Sequence, residues 1–542
     1  TFSKRPDKQT SYISGADEIG TNIAVFVLCA CGEVRVDPLV LISGQGLVRG
    51  QRSSSGEYSS FLGIPYAQVD TDNPFGVSEP QPFEEVIFNA NDGSTKCPQL
   101  SSDSSTSIDC LKLNIFAPIS ASANNPLPVL FWIHGGNFDS GSGGQYSGVR
   151  NIVRHGVVVV TFNYRLGPFG FFCLDLPSIT GNQGLKDQYQ ALQWVRQNIA
   201  SFGGNPYNVT IAGQDAGATS ALLHLYSNKD KLYHKAIVES GTPQNGGMFV
   251  NGDVYAPIKL AERLGFNTTS TEDALEYLVN TDYDLVAVAA SDLSLDLKPC
   301  RERSFSGIDN FVVNDPYALS NERKVRNTPI LIGYTSKERD SLSGNYYQSD
   351  PFYEKIKNNF NLEVENVVYA ANTVKRFYIG DESISESVAS ALKDFESDFD
   401  FNHPSQRTTE QLLGENAGAV YEYLFDYVGN SGAEGAGHSA ELNYLFELSN
   451  DQRTEEDQLI VDRITYLWAN FIKYGNPSPQ ASELVPLLWP PVTESSRPAL
   501  VIDTDIRVEG RVQHQRMAFW DLFYSIYGRY NKISRECLHM KH

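Results

Sequence analysis

The fold is decided by the stretch Val209-Thr210-Ile211-Ala212-Gly213-Gln214-Asp215-Ala216-Gly217. Its first four residues are apolar or β-branched, and such a run predicts a buried strand. Asp215 follows, with a glycine two residues to either side. A side chain on a strained turn between a strand and a helix needs neighbours without bulk, and Gly213 and Gly217 meet that need. The sequence therefore predicts that Asp215 is presented on a sharp turn at the end of a strand.

A second loop supplies the groups that would face this turn. An apolar strand ends in His134 and two glycines, and a loop of this kind donates backbone N–H groups to a developing oxyanion. Turn and loop together resemble the setting in which α/β-hydrolases present a nucleophilic serine, with a further N–H from the residue after the nucleophile. Here an aspartate takes the place of that serine. The expected oxyanion-hole positions are Gly135, Gly136, Asn137 and Ala216.

The loop also resembles the His-Gly-Gly-Gly signature of the type-B carboxylesterase and cholinesterase family. Further landmarks of that family follow in order over residues 42–525, and the resemblance is to insect α-esterases and juvenile hormone esterases in particular. It implies the α/β-hydrolase fold, with a mainly parallel central sheet flanked by helices. The landmarks include Gly63-Ile64-Pro65-Tyr66-Ala67, Asn163-Tyr164-Arg165-Leu166-Gly167, Phe202-Gly203-Gly204-Asn205-Pro206 and Trp468-Ala469-Asn470-Phe471.

The resemblance also implies partners for the nucleophile position. Glu338 lies five residues after a glycine that ends a strand, and His438 lies in a Gly-x-x-His-x-x-Glu-Leu segment. The chain order of nucleophile, acid and base is the order of α/β-hydrolases. Taken alone, Glu338 fits a solvated surface carboxylate and His438 fits a hydrogen-bonded loop histidine. Together with the Asp215 turn, they are expected to form a retained His–Glu pair.

Two substitutions near the expected site depart from the family pattern. Asn137 stands where the third glycine of the loop belongs, and Arg339 follows Glu338 where a glycine is usual. We expect the side chain of Asn137 to crowd the position of a substrate carbonyl. Ser240 and Asp398 belong to framework segments of the family, so we expect them to support the site instead of reacting.

The composition is that of a folded protein with a large core and an acidic surface. The 542 residues are 41% hydrophobic and 20% charged, and the formal net charge is −22. This charge argues against nucleic acid or an anionic membrane surface as a partner. The sequence has no metal-ligand spacing, dinucleotide fingerprint or long apolar run, so we expect no cofactor, no metal and no transmembrane helix.

We expect three segments along the chain: an N-terminal segment 1–32, a carboxylesterase-like domain 33–530 and a C-terminal tail 531–542. Residues 23–32 form an apolar run that ends in Ala-Cys-Gly. This run resembles the core and cleavage site of a signal peptide, which predicts a secreted, extracellular protein. A buried N-terminal strand is the alternative interpretation.

Cysteines and glycosylation sequons fit secretion. The family resemblance implies a disulfide between Cys97 and Cys110. Cys173 and Cys300 have no partner that the sequence assigns. Asn267 begins the sequon Asn-Thr-Thr and is the expected glycosylation site.

Two function classes compete. In the first, the chain is a catalytically impaired carboxylesterase-like protein that binds a hydrophobic ester-like ligand or a protein partner. In the second, it is an active hydrolase with Asp215 as nucleophile, because an aspartate attacks saturated carbon and forms an alkyl ester that water opens. An ordinary esterase with an engineered aspartate in place of its serine is a further alternative. The departure at Asn137 favours natural loss of activity.

Overall fold

A computed structural model describes residues 37–81, 86–100, 105–448 and 452–532. The expected signal peptide in segment 1–32 lies outside these residues, as do positions 533–542 of the expected tail. Within the described residues, no helix is long and apolar enough to cross a membrane.

Most strands of the described chain belong to one mixed sheet. The strands of the described residues are β1 (Leu39–Ile42), β2 (Gly46–Arg49), β3 (Gln51–Arg52), β4 (Tyr58–Pro65), β5 (Ala67–Gln68), β6 (Glu79–Pro80), β7 (Ile87–Asn89), β8 (Lys112–Pro118), β9 (Leu127–Ile133), β10 (Val158–Phe162), β11 (Gly204–Gln214), β12 (Lys235–Glu239), β13 (Ile330–Thr335), β14 (Val420–Phe425), β15 (Ala499–Ile502) and β16 (Arg507–Glu509). In the mixed sheet they follow the order β3-β4-β8-β10-β9-β11-β12-β13-β14-β15-β16. Neighbours from β10 to β15 in this order pair in parallel. The outer strands β3, β4, β8 and β16 pair antiparallel. The prediction of a mainly parallel central sheet is confirmed.

Helices follow the parallel strands and cover the sheet. They are α1 (Arg150–Val153), α2 (Gly167–Phe171), α3 (Gln183–Asn198), α4 (Ala216–Tyr226), α5 (Ala256–Arg263), α6 (Thr271–Val279), α7 (Tyr283–Asp292), α8 (Glu322–Val325), α9 (Pro351–Asn359), α10 (Val364–Ile379), α11 (Ala389–Ser397), α12 (His403–Gly414), α13 (Leu442–Leu445), α14 (Glu455–Tyr474) and α15 (His514–Tyr527). A π-helical turn, Asp398–Asn402, joins α11 to α12.

The central strands are buried on both faces, as parallel strands between helical layers are. All five residues of β10 are buried. Its side chains alternate between two hydrophobic clusters, with Val158 and Val160 in one and Val159 in the other. In β11, Ile211 and Ala212 divide between the same two clusters. The groups of the predicted site therefore lie at the strand ends and in the loops that follow them.

The turn after β11 has the predicted form. Asp215 lies between the last residue of β11 and the first of α4, with φ of 55° and ψ of −120°. The flanking glycines are needed because a Cβ at Gly213 would lie 2.4 Å from the carbonyl carbon of Gly217, and one at Gly217 would lie 2.0 Å from the carbonyl oxygen of Ile133. The backbone of this turn therefore lies close to the end of β9, and this places Asp215 beside the loop that follows β9.

Two disulfide bonds cross-link the described residues. The predicted bond between Cys97 and Cys110 is confirmed. A second bond joins Cys173 to Cys300, at a sequence separation of 127. The sequence left these two cysteines unpaired, because no local pattern marks a contact over that distance. Asn267, the expected glycosylation site, is exposed in the loop between α5 and α6.

Candidate active site

The predicted His–Glu pair forms at the carboxyl edge of the sheet. Glu338 follows β13, and its Oε2 lies 2.5 Å from Nδ1 of His438. The other oxygen of Glu338 accepts bonds from the Ser240 hydroxyl at 2.6 Å and from the Thr335 N–H at 2.8 Å. The glutamate is therefore a buried hydrogen-bonded group and not a solvated surface carboxylate. Ser240 supports the site, as expected.

The surroundings of His438 favour the charged form of its imidazole. Burial alone would lower the pKa of His438, but the carboxylates of Glu338 and Asp215 outweigh it and raise the pKa to about 9. Burial likewise would raise the pKa of Glu338, and the neighbouring His438 charge and hydrogen bonds lower it instead. Both shifts favour the charged forms, so Glu338 and His438 attract each other as an ion pair.

Asp215 occupies the position of an oxyanion. Its Oδ2 accepts hydrogen bonds from the N–H of Gly136 at 3.0 Å and from the N–H of Asn137 at 2.9 Å. Its Oδ1 lies 4.0 Å from Nε2 of His438, beyond hydrogen-bond distance. The loop predicted to hold a reaction intermediate thus holds a side chain of the protein itself.

The two remaining predicted oxyanion-hole positions flank this contact. Gly135 packs closely against the Asp215 turn, because a Cβ at this position would lie 3.1 Å from Cβ of Asp215. Ala216 is fully buried and is the first residue of α4. The predicted positions therefore come together in space around Asp215.

Asn137 differs from the expectation that its side chain crowds a substrate carbonyl. Its side-chain amide donates to Oδ2 of Asp139 at 3.0 Å, and the residue is exposed. It lines a neighbouring cavity of about 480 Å³. The backbone adopts a φ of 56°, a left-handed conformation that asparagine tolerates better than most residues. The substitution of glycine by asparagine therefore leaves the N–H donor in place.

Two residues that the sequence analysis missed contact this site. The side-chain amide of Gln214 lies 2.8 Å from Nε2 of His438. The atom that faces Nε2 is the amide nitrogen, which only donates, so Nε2 of His438 accepts in this contact. A protonated imidazole would require the amide to turn and present its oxygen. The ammonium of Lys298 donates to the carbonyl oxygen of Asn137. Gln214 adjoins Asp215 in the sequence and could have been found by its position, whereas no local pattern marks Lys298.

The site opens into a cavity of about 590 Å³. Gln214, Asp215 and His438 line it together with Tyr146 and Leu442. The ring of Phe401, on the π-helical turn, packs 5.1 Å from the His438 ring.

Asp398, which begins the π-helical turn, has a supporting role, as predicted. It accepts from the Tyr378 hydroxyl at 2.6 Å and lies 3.0 Å from Nε of Arg516. These bonds are internal to the framework, so Asp398 holds the turn that carries Phe401.

The mainly parallel sheet, the strained turn after β11 and the His–Glu pair beside it define an α/β-hydrolase. Residues 36–520 match the carboxylesterase family. The chain belongs to that family. This confirms the fold predicted from the resemblance.

Relatives of this chain include insect esterases. The chain is 30% identical to a juvenile hormone esterase of Heliothis virescens over 92% of this chain and 98% of that protein. It is 30% identical to esterase E4 of Myzus persicae over 80% of this chain and 85% of that protein. The crystal structure of juvenile hormone esterase from Manduca sexta, with OTFP covalently attached, superposes with a TM-score of 0.78 at 26% identity, over 90% of this chain and 100% of that one.

Proposed function

We propose that this carboxylesterase-family protein does not hydrolyse carboxylic esters and acts by binding a ligand or a protein partner. The observation that carries the proposal is the carboxylate of Asp215 in the oxyanion hole. Both of its Oδ2 contacts, at 2.9 and 3.0 Å, use N–H groups that ester hydrolysis would need for the carbonyl oxygen. A substrate carbonyl would have to displace an anion to reach them.

The imidazole supports the same conclusion. Ester hydrolysis by a serine mechanism needs a neutral histidine that takes a proton from the nucleophile. The pKa of His438, raised to about 9 by Glu338 and Asp215 against the effect of burial, favours the protonated form at neutral pH. Attack of Asp215 on an ester carbonyl would give an anhydride, a more reactive species than the ester itself. The site is suited to holding charge and not to moving a proton.

The cavity of about 590 Å³ beside Asp215 is the proposed ligand site. A hydrophobic ester-like ligand fits the family, and a protein partner would use the surface around the cavity mouth. The two disulfides and the exposed Asn267 sequon support a secreted, glycosylated protein.

A second candidate is hydrolysis with Asp215 as nucleophile at saturated carbon. The observation that favours it is the position of Oδ1, which is free of the two loop N–H groups and lies 4.0 Å from Nε2 of His438. An alkyl ester formed there would have its carbonyl oxygen in the oxyanion hole. Its opening by water needs a neutral imidazole, which the pKa of about 9 disfavours. An engineered aspartate in an ordinary esterase would leave the site equally inactive toward esters, because the same carboxylate would occupy the same N–H groups.

The deciding experiment measures hydrolysis of a short-chain aryl ester by the purified protein beside its Asp215→Ser variant. We expect no turnover above background in the unmodified protein, because loss of a triad serine costs about 10⁶-fold in a well-studied protease. We expect measurable hydrolysis after Asp215→Ser. Ester turnover by the unmodified protein that disappears on His438→Ala would contradict the proposal. A parallel assay with an alkyl epoxide, read as diol formation, tests the second candidate.

A further inference from the structure

A cavity of about 540 Å³ lies beside α12, and its lining includes neither Asp215 nor His438. Arg407 and Glu410 contribute to it from α12, and Glu415 contributes from the position directly after the helix. One segment of the chain therefore supplies charges of both signs to one cavity. Whether these charges are already paired within the protein determines which ligand the cavity can take.

Arg407 presents a partly exposed guanidinium that has no acidic partner among the described residues. Its Cζ lies 4.4 Å from the ring centroid of Tyr317 and 4.3 Å from that of Tyr524. Its Nη1 donates to the Tyr317 hydroxyl at 3.1 Å. The two rings restrict the planar fork of the guanidinium, and such a fork matches the two oxygens of a carboxylate. The guanidinium is therefore preorganised for an anion that the described part of the protein does not supply.

Glu415 is the opposite case, a carboxylate without a cationic partner. Its Oε2 accepts from the N–H of Asn321 at 3.2 Å, and its Oε1 accepts from the side-chain amide of Gln411 at 3.4 Å. No lysine or arginine of the described residues forms a salt bridge with it, whereas the neighbouring Glu410 is paired with Arg497. A carboxylate held only by two long bonds from neutral donors has acceptor capacity left for an ammonium group.

The two unpaired charges are separated by about two turns of helix. Arg407 and Glu415 are eight residues apart in the sequence, which at a rise of 1.5 Å per residue places their Cα atoms about 12 Å apart along the axis. An extended dipeptide spans about 7 Å, and one hydrogen bond of about 2.8 Å at each end extends its reach to the same range. Gln411 lies four residues from each charge, so its amide stands where the peptide group of such a ligand would lie.

We propose that this cavity binds a short peptide zwitterion, whose carboxylate contacts Arg407 and whose ammonium group contacts Glu415. A simple anion would face the carboxylates of Glu410 and Glu415, and a simple cation would face Arg407, so neither matches both ends of the cavity. A ligand that carries both charges matches each end. The site is separate from the loop after β9, and the inference goes beyond the proposed function because it does not depend on Asp215.

The test is isothermal titration calorimetry of the full chain at neutral pH with glycylglycine. Two matched probes each lack one charge: glycylglycinamide has no carboxylate, and N-acetylglycylglycine has no ammonium group. We expect glycylglycine to bind about tenfold more tightly than either probe, which is the effect of one charge-assisted contact. Equal affinity for the three compounds, or no binding of glycylglycine, would overturn the proposal.

Two substitutions assign each end of the ligand to one residue. Arg407→Lys keeps the charge but removes the planar fork, so it should weaken glycylglycine binding about tenfold and leave glycylglycinamide binding unchanged. Glu415→Gln should weaken glycylglycine binding about tenfold and leave N-acetylglycylglycine binding unchanged. In each variant, the unaffected probe shows that the protein is folded and the cavity intact. The reverse pattern would contradict the proposal, and if Arg407→Lys loses every probe, Glu415→Gln decides alone.

The matched control is Arg196→Lys. The guanidinium of Arg196 also lies over a tyrosine ring, with Cζ 3.9 Å from the Tyr207 centroid, but it is not part of the cavity lining. Its replacement should leave glycylglycine affinity unchanged, and an equal loss in Arg196→Lys and Arg407→Lys would overturn the assignment of Arg407 to this site. Asp215→Ser should bind glycylglycine as the unmodified protein does. Failure of these titrations therefore leaves the ester assay, and the proposed function with it, unaffected.

Discussion

Two buried carboxylates face the same imidazole, and they differ in what holds them. Glu338 has a fully buried side chain and contacts Nδ1 of His438 at 2.5 Å. Asp215 has a side chain that is 11% exposed, and it lies 4.0 Å from Nε2. Glu338 is fixed by a hydroxyl and one N–H, and Asp215 by the two N–H groups of the oxyanion loop. The same chemical group therefore orients an imidazole in one place and occupies the N–H groups of a loop in the other.

The largest expected effect comes from breaking the Glu338 side of this comparison in an active background. In Asp215→Ser, adding Glu338→Gln should lower kcat for a short-chain aryl ester by about 10⁴-fold, since the orienting carboxylate is lost while the geometry stays similar. Adding Glu434→Gln, an exposed carboxylate, is the matched control and should leave kcat unchanged. A similar kcat for the Glu338→Gln and Glu434→Gln versions would mean that the retained pair is not catalytic.

The next effect separates the two carboxylates through the charge of His438. NMR titration should find that Glu338→Gln lowers the pKa of His438 by roughly 1–3 units, the range for an opposite charge in direct contact. Asp215→Asn should lower it by less, because the nearest oxygen of Asp215, Oδ1, is 4.0 Å from Nε2, and its other oxygen is bound by the loop N–H groups. The reverse order would show that Asp215 dominates the electrostatics of the site.

The raised histidine pKa also predicts a dependence of stability on pH. The folded pKa of about 9 exceeds the unfolded value of roughly 6.5. The contribution to the free energy of unfolding is therefore fully present below pH 6.5 and is lost as the pH rises through 9. Urea unfolding between pH 6 and 10, referenced to His438→Gln, should isolate this loss. A difference between the two proteins that stays constant with pH would argue against the ion pair.

The smallest effect is expected at Asn137. Sequence alone predicts that Asn137→Gly improves an Asp215→Ser enzyme by uncrowding the carbonyl site. The structure leads us to expect a change in kcat of less than about threefold, because the side chain faces Asp139 and only one neutral-to-charged hydrogen bond is removed. A tenfold gain would restore the crowding interpretation.

The sequence was sufficient for the scaffold and for the residues that family motifs mark. The Asp215 turn, Glu338 and His438 were all found, because glycines and short spacings specify their backbone positions. The convergence of Asp215 and Glu338 on His438 predicts a raised histidine pKa, and the structure agrees. The other side chains that contact the site were not predictable in this way. The contact of Lys298 with Asn137 spans 161 residues, and that of Gln214 with His438 spans 224. Such contacts depend on how loops from distant strands meet, which no local pattern encodes.

The bond between Cys173 and Cys300 has a consequence for how the site assembles. The covalent loop encloses a sequence separation of 127 and contains both Asp215 and Lys298. A crosslink over about 100 residues removes roughly 4.7 kcal/mol of chain entropy from the denatured ensemble in the loop-closure model. In an oxidised unfolded chain, Lys298 therefore stays tethered to the region that carries Asp215. The redox state in which the chain folds then bears on how readily the Asp215 turn and Lys298 reach the loop that both contact.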